Sequence, residues 1–235
     1  MEALTEYVKN QVWLLEYPIR FEGMDLFGRM TIIRLENGDL LIHDPCKITD
    51  AIRQQIDDIG PVKYIVAPGS YHHLFVMDFQ AKYPQAETFL CPGLERKRPD
   101  IPFDWILGNK PDPRWANEID QVVVSGTKYM WEVAFFHKPS KTLILVDLLE
   151  NIGDDYRHHA NWVLRFWWKF VFRMWNKPKP APEYQMGWGN KQIVQTALHK
   201  ILGWQAERVI IAHGETIEEG VNDILSEAWK KVLKA

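Results

Sequence analysis

The stretch PVKYIVAPGSYHHLFVMDFQAKYPQAETFLCPG, residues 61–93, decides how the chain is expected to fold. Its apolar run at residues 62–67 is typical of a buried strand, and a Pro-Gly pair ends that strand. A helical pattern follows, and its apolar face consists of Leu74, Phe75, Phe79 and Tyr83. Residues 88–91 predict the next strand. His72 and His73 therefore lie between a strand and a helix, at the edge of an α/β sheet where ligands bind.

Further strands and a helix are predicted on the N-terminal side of this stretch. Apolar patterns predict strands at residues 12–17, 29–35 and 40–43. Asn37-Gly38 is a hairpin turn signal, because both central positions of that turn favour positive φ. The strand that returns from the turn delivers Asp44 at its end. Thr49 is a plausible N-cap and Gly60 a plausible C-terminal cap for a helix, which completes a βαβ unit.

The C-terminal side has the same alternation of strands and helices. Strands are predicted at residues 118–124, 131–136, 142–146 and 208–212. The third of these ends in Asp147, and the fourth presents His213. Residues 192–202 predict an amphipathic helix, and Thr216 with Glu219 predicts a capping box for a last helix. Polar groups thus follow several strand ends.

Two other places on this side carry weaker patterns. Residues 93–115 are rich in proline, charge and isolated aromatics, which favours an ordered surface loop over a regular element. Glu132 lies on a predicted strand. It could supply a carboxylate near the end of this strand pair, but a single glutamate at such a position is more often an ion-pair partner or an exposed strand residue.

Residues 154–175 form an unusually aromatic helical segment. Three basic residues recur at every fourth position and line one face, namely Arg165, Lys169 and Arg173. Trp162 and Phe166 belong to the aromatic remainder. An aromatic helix with a basic stripe can lie in a membrane interface, cover a pocket or form a dimer contact. We favour the pocket or dimer over the membrane surface.

Composition narrows the class of protein. The 235 residues, 46% of them hydrophobic, suffice for one sizeable core, so a single domain over residues 1–235 with an aromatic insertion at about 154–188 is expected. The net charge of −3 gives no reason to expect nucleic acid as a partner. Cys46 and Cys91 lack metal-ligand spacing and are read as buried thiols. The sequence shows neither an apolar signal core nor an apolar run of membrane-spanning length, so a cytoplasmic location is expected.

The strand and histidines of the opening stretch resemble the metallo-β-lactamase superfamily. In that superfamily a strand runs into the motif T-H-x-H-x-D-H at the start of a helix. On this chain Ala67 corresponds to the threonine, and Pro68 and Ser70 correspond to the first two histidines. His72 corresponds to the aspartate, and His73 corresponds to the last histidine. The H-H-L-F run resembles a divergent branch known mainly as a domain of unknown function.

Three later motifs extend the resemblance over most of the chain. LLIHDP places Asp44 where the superfamily has an aspartate that supports the metal ligands by hydrogen bonding. WEVAFFHKPSKTLILVDLL places Asp147 at the metal-binding aspartate, and His213-Gly214 matches the final motif, whose histidine is a ligand. The resemblance implies a four-layer αββα sandwich of the α/β class.

The resemblance also implies a reduced metal site. The candidate ligands are His72, His73, Asp147 and His213, with Asp44 behind them, around one zinc or iron ion or none. Asp147 and His73 are then the candidate catalytic residues of a hydrolase. The candidate pocket residues for a small, partly apolar substrate are Ser70, Tyr71, Trp162 and Phe166. The alternative is a metal-free relative that binds a hydrophobic ligand, a partner chain or a membrane surface.

Overall fold

The computed structural model describes residues 3–158 and 160–234, apart from the side chains of Arg157 and His158. Two β-sheets pack face to face, and helices cover the outer face of each. The predicted αββα sandwich is therefore confirmed. No helix in these ranges is long and apolar enough to cross a membrane.

The first sheet has seven strands that lie side by side in chain order. They are β1 Thr5–Val8, β2 Val12–Phe21, β3 Met24–Arg34, β4 Leu40–His43, β5 Val62–Ala67, β6 Glu87–Leu90 and β7 Trp105–Ile106. The first four are antiparallel, whereas β4 to β7 run parallel. Its outer helices are α1 Asp50–Ile59, α2 Val76–Lys82 and α3 Leu94–Lys97.

The second sheet has four strands in the order β11-β10-β9-β8. They are β8 Ile119–Val124, β9 Glu132–His137, β10 Thr142–Leu145 and β11 Arg208–Ile211. β10 and β11 are parallel, and the other pairs are antiparallel. The helices on its outer face are α5 Pro182–Gly187, α6 Lys191–Gly203 and α7 Val221–Leu233.

The core between the sheets fixes how the two sheets face each other. Val66 of the first sheet and Ile144 and Ile210 of the second belong to this layer, and each is at most 1% exposed. Trp115, which is also 1% exposed, closes one side against Tyr64 and Phe89. Strand ends of both sheets are consequently held in fixed relative positions.

The caps predicted for α1 and the bounds predicted for α6, to within one residue, agree with the structure, whereas the start predicted for α7 does not. Thr49 caps α1, because its Oγ1 accepts from the amide of Ile52 at 3.2 Å. The capping box predicted from Thr216 is wrong. α7 begins at Val221, five residues after Thr216, and the residue before it is Gly220, with φ of +62°. The helix starts late because Ile217 forms a β-bridge with Val209 of β11.

Two other local predictions also need correction. The Asn37-Gly38 turn does join β3 and β4, but of its two central residues Gly38 alone has a positive φ, +88°. The turn is therefore not the type in which both residues are left-handed. The predicted loop at 93–115 contains α3 and β7, which adds a strand to the edge of the first sheet.

The aromatic segment is three short helical pieces and not one helix. A 3-10 helix at Asp155–His158, α4 at Trp162–Phe166 and a π-helix at Trp167–Val171 follow one another. Asn161 starts α4, since its Oδ1 accepts from Leu164 N at 3.0 Å. The same side chain donates to the carbonyl of Gly23 at 2.9 Å, which ties the segment to the β2–β3 hairpin.

Candidate metal centre and cavity

Four polar side chains follow strands whose carboxyl ends meet at one edge of the sandwich. Asp44 comes directly after β4, and His72 lies in the turn after β5. Asp147 and His213 each come two residues after the last residue of their strand, β10 and β11. All four are at most 7% exposed. The sequence predicted that these residues would share one edge, and the structure brings them together.

Three of these side chains converge on one point. His72 Nε2 lies 3.2 Å from Asp147 Oδ1, and His213 Nε2 lies 3.8 Å from the same oxygen. One donor atom from each residue lies within 4.8 Å of the other two. Two donor atoms bound to one tetrahedral zinc ion are about 3.4 Å apart, given bond lengths near 2.1 Å. The spacing therefore fits a single ion.

The other ring nitrogen of each histidine is engaged. His72 Nδ1 lies 2.8 Å from Asp44 Oδ2. His213 Nδ1 lies 2.8 Å from the carbonyl oxygen of Phe27, which only accepts hydrogen bonds, so this nitrogen is the donor. Metal-ligating histidines are typically held in this way by a carboxylate or a carbonyl on the far nitrogen. Both Nε2 atoms are thus directed towards Asp147.

The charges of these groups are strongly coupled. Burial favours the neutral form of His72, but Asp44 and Asp147 outweigh burial and raise its pKa well above 6.5. Burial likewise opposes ionisation of Asp147, yet the two histidines keep its pKa below the usual value. Burial and the neighbouring His72 lower the pKa of His213. Without an ion, His72 is an imidazolium between two carboxylates.

His73 does not join this group. Its Nδ1 lies 3.0 Å from Nη1 of Arg98, on the chain after α3. Burial and the charges of Lys97 and Arg98 lower the pKa of His73 to about 4, so it is a neutral acceptor. Adjacent residues in a turn project in different directions, and here only His72 points to Asp147. The prediction of His73 as a fourth ligand and catalytic residue is corrected accordingly.

Glu132 supports the loop that carries Asp147. It is 1% exposed, and its carboxylate accepts from the amides of Val146, Asp147 and Leu148 at 3.1, 2.9 and 2.6 Å. Burial, and then the charge of Asp147, raises its pKa to about 7. The expectation of an exposed or ion-paired strand residue is wrong. Glu132 instead fixes the backbone on which Asp147 is presented.

A cavity of about 610 Å³ opens beside the three converging residues. Its walls are mainly apolar and come from the β2–β3 hairpin, the turn after β5, the aromatic segment and α5. Its lining residues include Tyr71, Leu74, Lys97, Glu150, Glu183, Leu164, Trp167, Trp168 and Phe172. The size and the apolar walls suit a small-molecule ligand.

The predicted pocket residues divide into two groups. Tyr71 lines the cavity, but Ser70 does not, because its hydroxyl bonds the backbone of Trp131 and joins the turn to the start of β9. Trp162 and Phe166 do not line it either, and they are 76% and 49% exposed. Their neighbours on the inner side of the segment form the wall in their place.

Two charged groups of the cavity wall were not found from the sequence. Lys97 Nζ donates to the carbonyl of Ser70 at 2.7 Å and lies 3.6 Å from the centre of the Tyr71 ring. Glu150 is 6% exposed and accepts from Trp168 Nε1 at 3.1 Å. Burial, then the charge of Asp147, raises the pKa of Glu150 well above its usual value. Lys97 lies in a stretch read as a surface loop, and no motif distinguished Glu150.

Fold and site together define a protein of the metallo-β-lactamase fold. DIM-1 metallo-β-lactamase exposed to ceftazidime superposes with a TM-score of 0.69 at 12% identity over 98% of this chain and 97% of that chain. A metallo-β-lactamase from Pontibacter korlensis gives 0.65 at 11% identity over all of both chains. FIM-1 from Pseudomonas aeruginosa, solved in its mono-zinc form, gives 0.66 at 9% identity over 100% of this chain and 97% of that chain.

The sequence itself identifies the branch. Residues 9–163 match the model of a domain of unknown function, DUF4336, and the chain belongs to this family. No curated protein matches the sequence. The resemblance to a divergent branch of the superfamily is thereby confirmed at the level of fold and family.

Proposed function

We propose that this protein is a metal-dependent hydrolase with a mononuclear centre held by His72, Asp147 and His213. The observation that carries the proposal is the orientation of the two imidazoles. Each has its Nδ1 engaged by an oxygen, at 2.8 Å in both cases, and each directs Nε2 towards one oxygen of Asp147. FIM-1, of the same fold, was solved with a single zinc.

The three residues suit zinc or iron(II), because two imidazoles and one carboxylate are a common ligand set for both. The bound ion would lower the pKa of a water molecule towards neutrality and polarise an ester, amide or phosphoester. With an ion bound, Asp44 would hold His72 in the tautomer whose Nε2 is free to ligate, and it fixes the ring orientation. Glu132 holds the backbone of Asp147, so the carboxylate needs little rearrangement when the centre forms.

The cavity supports a proposal for the class of substrate. Its walls are apolar near Leu164 and Trp168, which favours a partly apolar molecule. Lys97 is a cation on the wall, held by the carbonyl of Ser70 and the ring of Tyr71. We propose that it pairs with an anionic or carbonyl group of a substrate in this cavity. We therefore propose a small substrate with one polar reacting group and an apolar remainder.

A metal-free binding protein is the second candidate, and one observation favours it. His72 lies between Asp44 at 2.8 Å and Asp147 at 3.2 Å, an arrangement that satisfies both of its ring nitrogens without any ion. The cavity would then hold a hydrophobic ligand beside a structural ion-pair network. This candidate shares the fold and the cavity with the first, and differs only in what occupies the centre.

Metal binding by untagged protein separates the two candidates. Purified protein is stripped with chelator and titrated with zinc and with iron(II) by calorimetry. We expect one ion per chain, and we expect His213→Ala and Asp147→Asn to abolish it. His73→Ala is the matched control, since His73 is adjacent to His72 but is turned towards Arg98. Circular dichroism confirms that each variant is folded.

Activity is tested on the same proteins. Nitrophenyl esters of increasing acyl length are offered to the metal-loaded protein, and the rate is compared with that of the two ligand variants. Hydrolysis that requires metal and is lost in His213→Ala supports the hydrolase. Absence of stoichiometric binding, or equal binding by the wild type and Asp147→Asn, would refute a centre at these residues and leave the metal-free candidate.

A further inference from the structure

The chain has one strongly basic stretch in an otherwise acidic protein. Residues 160–182 contain five Lys or Arg and no Asp or Glu, whereas the whole chain has a net charge of −3. The remaining residues therefore carry a net charge of −3 − 5 = −8. Such an asymmetry points to an anionic partner for this stretch.

The same stretch presents large aromatic side chains to solvent. Trp162 is 76% exposed and Phe170 is 69% exposed, and Phe166 and Trp167 are each more than 40% exposed. Three of them lie within ring-contact distance, since Phe166 is 6.2 Å from Trp167 and 5.7 Å from Phe170. An exposed apolar patch of this kind marks an interaction surface.

The aromatic patch, defined as Trp162, Phe166, Trp167 and Phe170, continues into the cavity mouth. Trp167 belongs to both, because it lines the cavity and is 41% exposed. Other rim residues of the cavity are exposed apolar side chains as well, among them Phe21, Leu74 and Met186. The cavity thus opens within a mainly apolar surface, and its lining also includes Glu22 and Glu183.

We propose that the aromatic patch docks the protein onto the surface of a bilayer that contains anionic lipids. Trp and Phe side chains enter the interfacial region, and the basic residues Lys169 and Arg173, which are exposed, pair with the headgroups. The anchor is a surface helix and not a transmembrane one, consistent with the short α4 and π-helix.

Charge favours a lipid surface over a second copy of the chain. A symmetric dimer through this patch would bring two basic stretches together, because an isologous interface uses the same surface on both subunits. Lys169 and Arg173, which are both exposed, would then approach the same two residues of the second copy. An anionic bilayer provides the opposite charge and an apolar layer beneath it.

The docked orientation has a consequence for the substrate, which rests on the proposed function. The cavity mouth would face the lipid, so a substrate with an acyl or other apolar chain could enter from the bilayer without crossing water. Docking itself does not require the metal centre. A protein that does not bind vesicles would therefore refute the docking alone, and a protein that does not bind metal would refute the proposed function alone.

Vesicle co-sedimentation tests the docking. Metal-free and metal-loaded full-length protein are mixed with vesicles of phosphatidylcholine alone, or with about one third phosphatidylserine. We expect binding to the anionic vesicles that weakens as salt rises from about 0.1 to 0.5 M. Lys169→Glu with Arg173→Glu should reduce the partition coefficient roughly tenfold or more, and Trp162→Ser with Phe170→Ser should do likewise.

Phe103→Ser with Lys110→Glu is the matched control, since both residues are exposed and lie on the chain near β7. It should bind as the wild type does. Equal partition of all variants, or no preference for the anionic vesicles, would overturn the proposal. A dimer in lipid-free solution that Trp162→Ser with Phe170→Ser disrupts would also overturn it, because a second copy would then occupy the patch.

Discussion

His137 makes stability depend on pH in a predictable way. It ends β9, is 1% exposed, and its Nδ1 lies 2.7 Å from Ser140 Oγ in the hairpin that leads to β10. Burial lowers its pKa from 6.5 to about 4. The unfolded chain therefore binds more protons than the folded protein between these pH values. Stability contributed by the neutral imidazole is present above pH 6.5 and is lost as pH falls towards 4.

The size of the effect follows from the shift. A pKa lowered by this amount reduces the free energy of unfolding by about 3 kcal/mol once the pH has fallen below both pKa values. Between pH 7 and pH 5 the reduction is about 2 kcal/mol. His137→Asn removes the titrating group while its amide can still bond Ser140. The packing cost of the substitution does not depend on pH, so it cancels from the comparison.

Urea denaturation at pH 7, 6, 5 and 4 measures both proteins. At pH 7 the wild type should be the more stable, and its advantage over His137→Asn should shrink by about 2 kcal/mol at pH 5. Other groups that titrate in this range affect both proteins equally. A stability difference that stays constant within about 0.5 kcal/mol from pH 7 to 4 would refute the assignment of a buried neutral histidine.

Three further changes are predicted at the site and its wall. Asp44→Asn should weaken zinc binding about 10- to 100-fold in a chelator competition, because His72 Nδ1 loses its carboxylate; unchanged affinity would contradict this. Asn161→Ala should destabilise the aromatic segment by about 1–2 kcal/mol, because α4 loses its N-cap and the bond to Gly23. Amide hydrogen exchange should then be faster over residues 162–172 and unchanged in α6. Trp168→Phe should lower the free energy of unfolding by about 1–2 kcal/mol in urea, because Glu150 loses a donor; a smaller loss would mean that water replaces the indole.

The fold was predictable because the strands carry continuous apolar runs and the loops carry clear turn residues. β4 and β5 have the predicted bounds, the other predicted strands differ by up to five residues at their ends, and β1 and β7 were not predicted. Asp44, Asp147 and His213 were found because each follows a strand. Their proximity then followed from the rule that carboxyl ends of parallel strands share an edge.

The sequence could not settle contacts that depend on distant residues. Which of His72 and His73 faces Asp147 is decided by Arg98, 25 residues further along, which engages His73. The role of Glu132 depends on three amides that are 14 to 16 residues away. The aromatic segment has a helical pattern throughout, yet the cap at Asn161 and the π-helix divide it and leave Trp162 outside the cavity.

The arrangement of the centre explains how a reduced ligand set can still converge. Pro68 and Ser70 occupy two positions where the superfamily has histidines, so the turn after β5 supplies His72 alone to the group. The other two members come from the second sheet. The 3.2 Å distance from His72 to Asp147 spans the two sheets and is therefore maintained by the packing between them, where Val66, Ile144 and Ile210 are fully buried. Because interiors are closely packed, a loss of volume in that layer shifts one sheet against the other and separates the ligands. The inter-sheet core accordingly supports the position of His72 relative to Asp147.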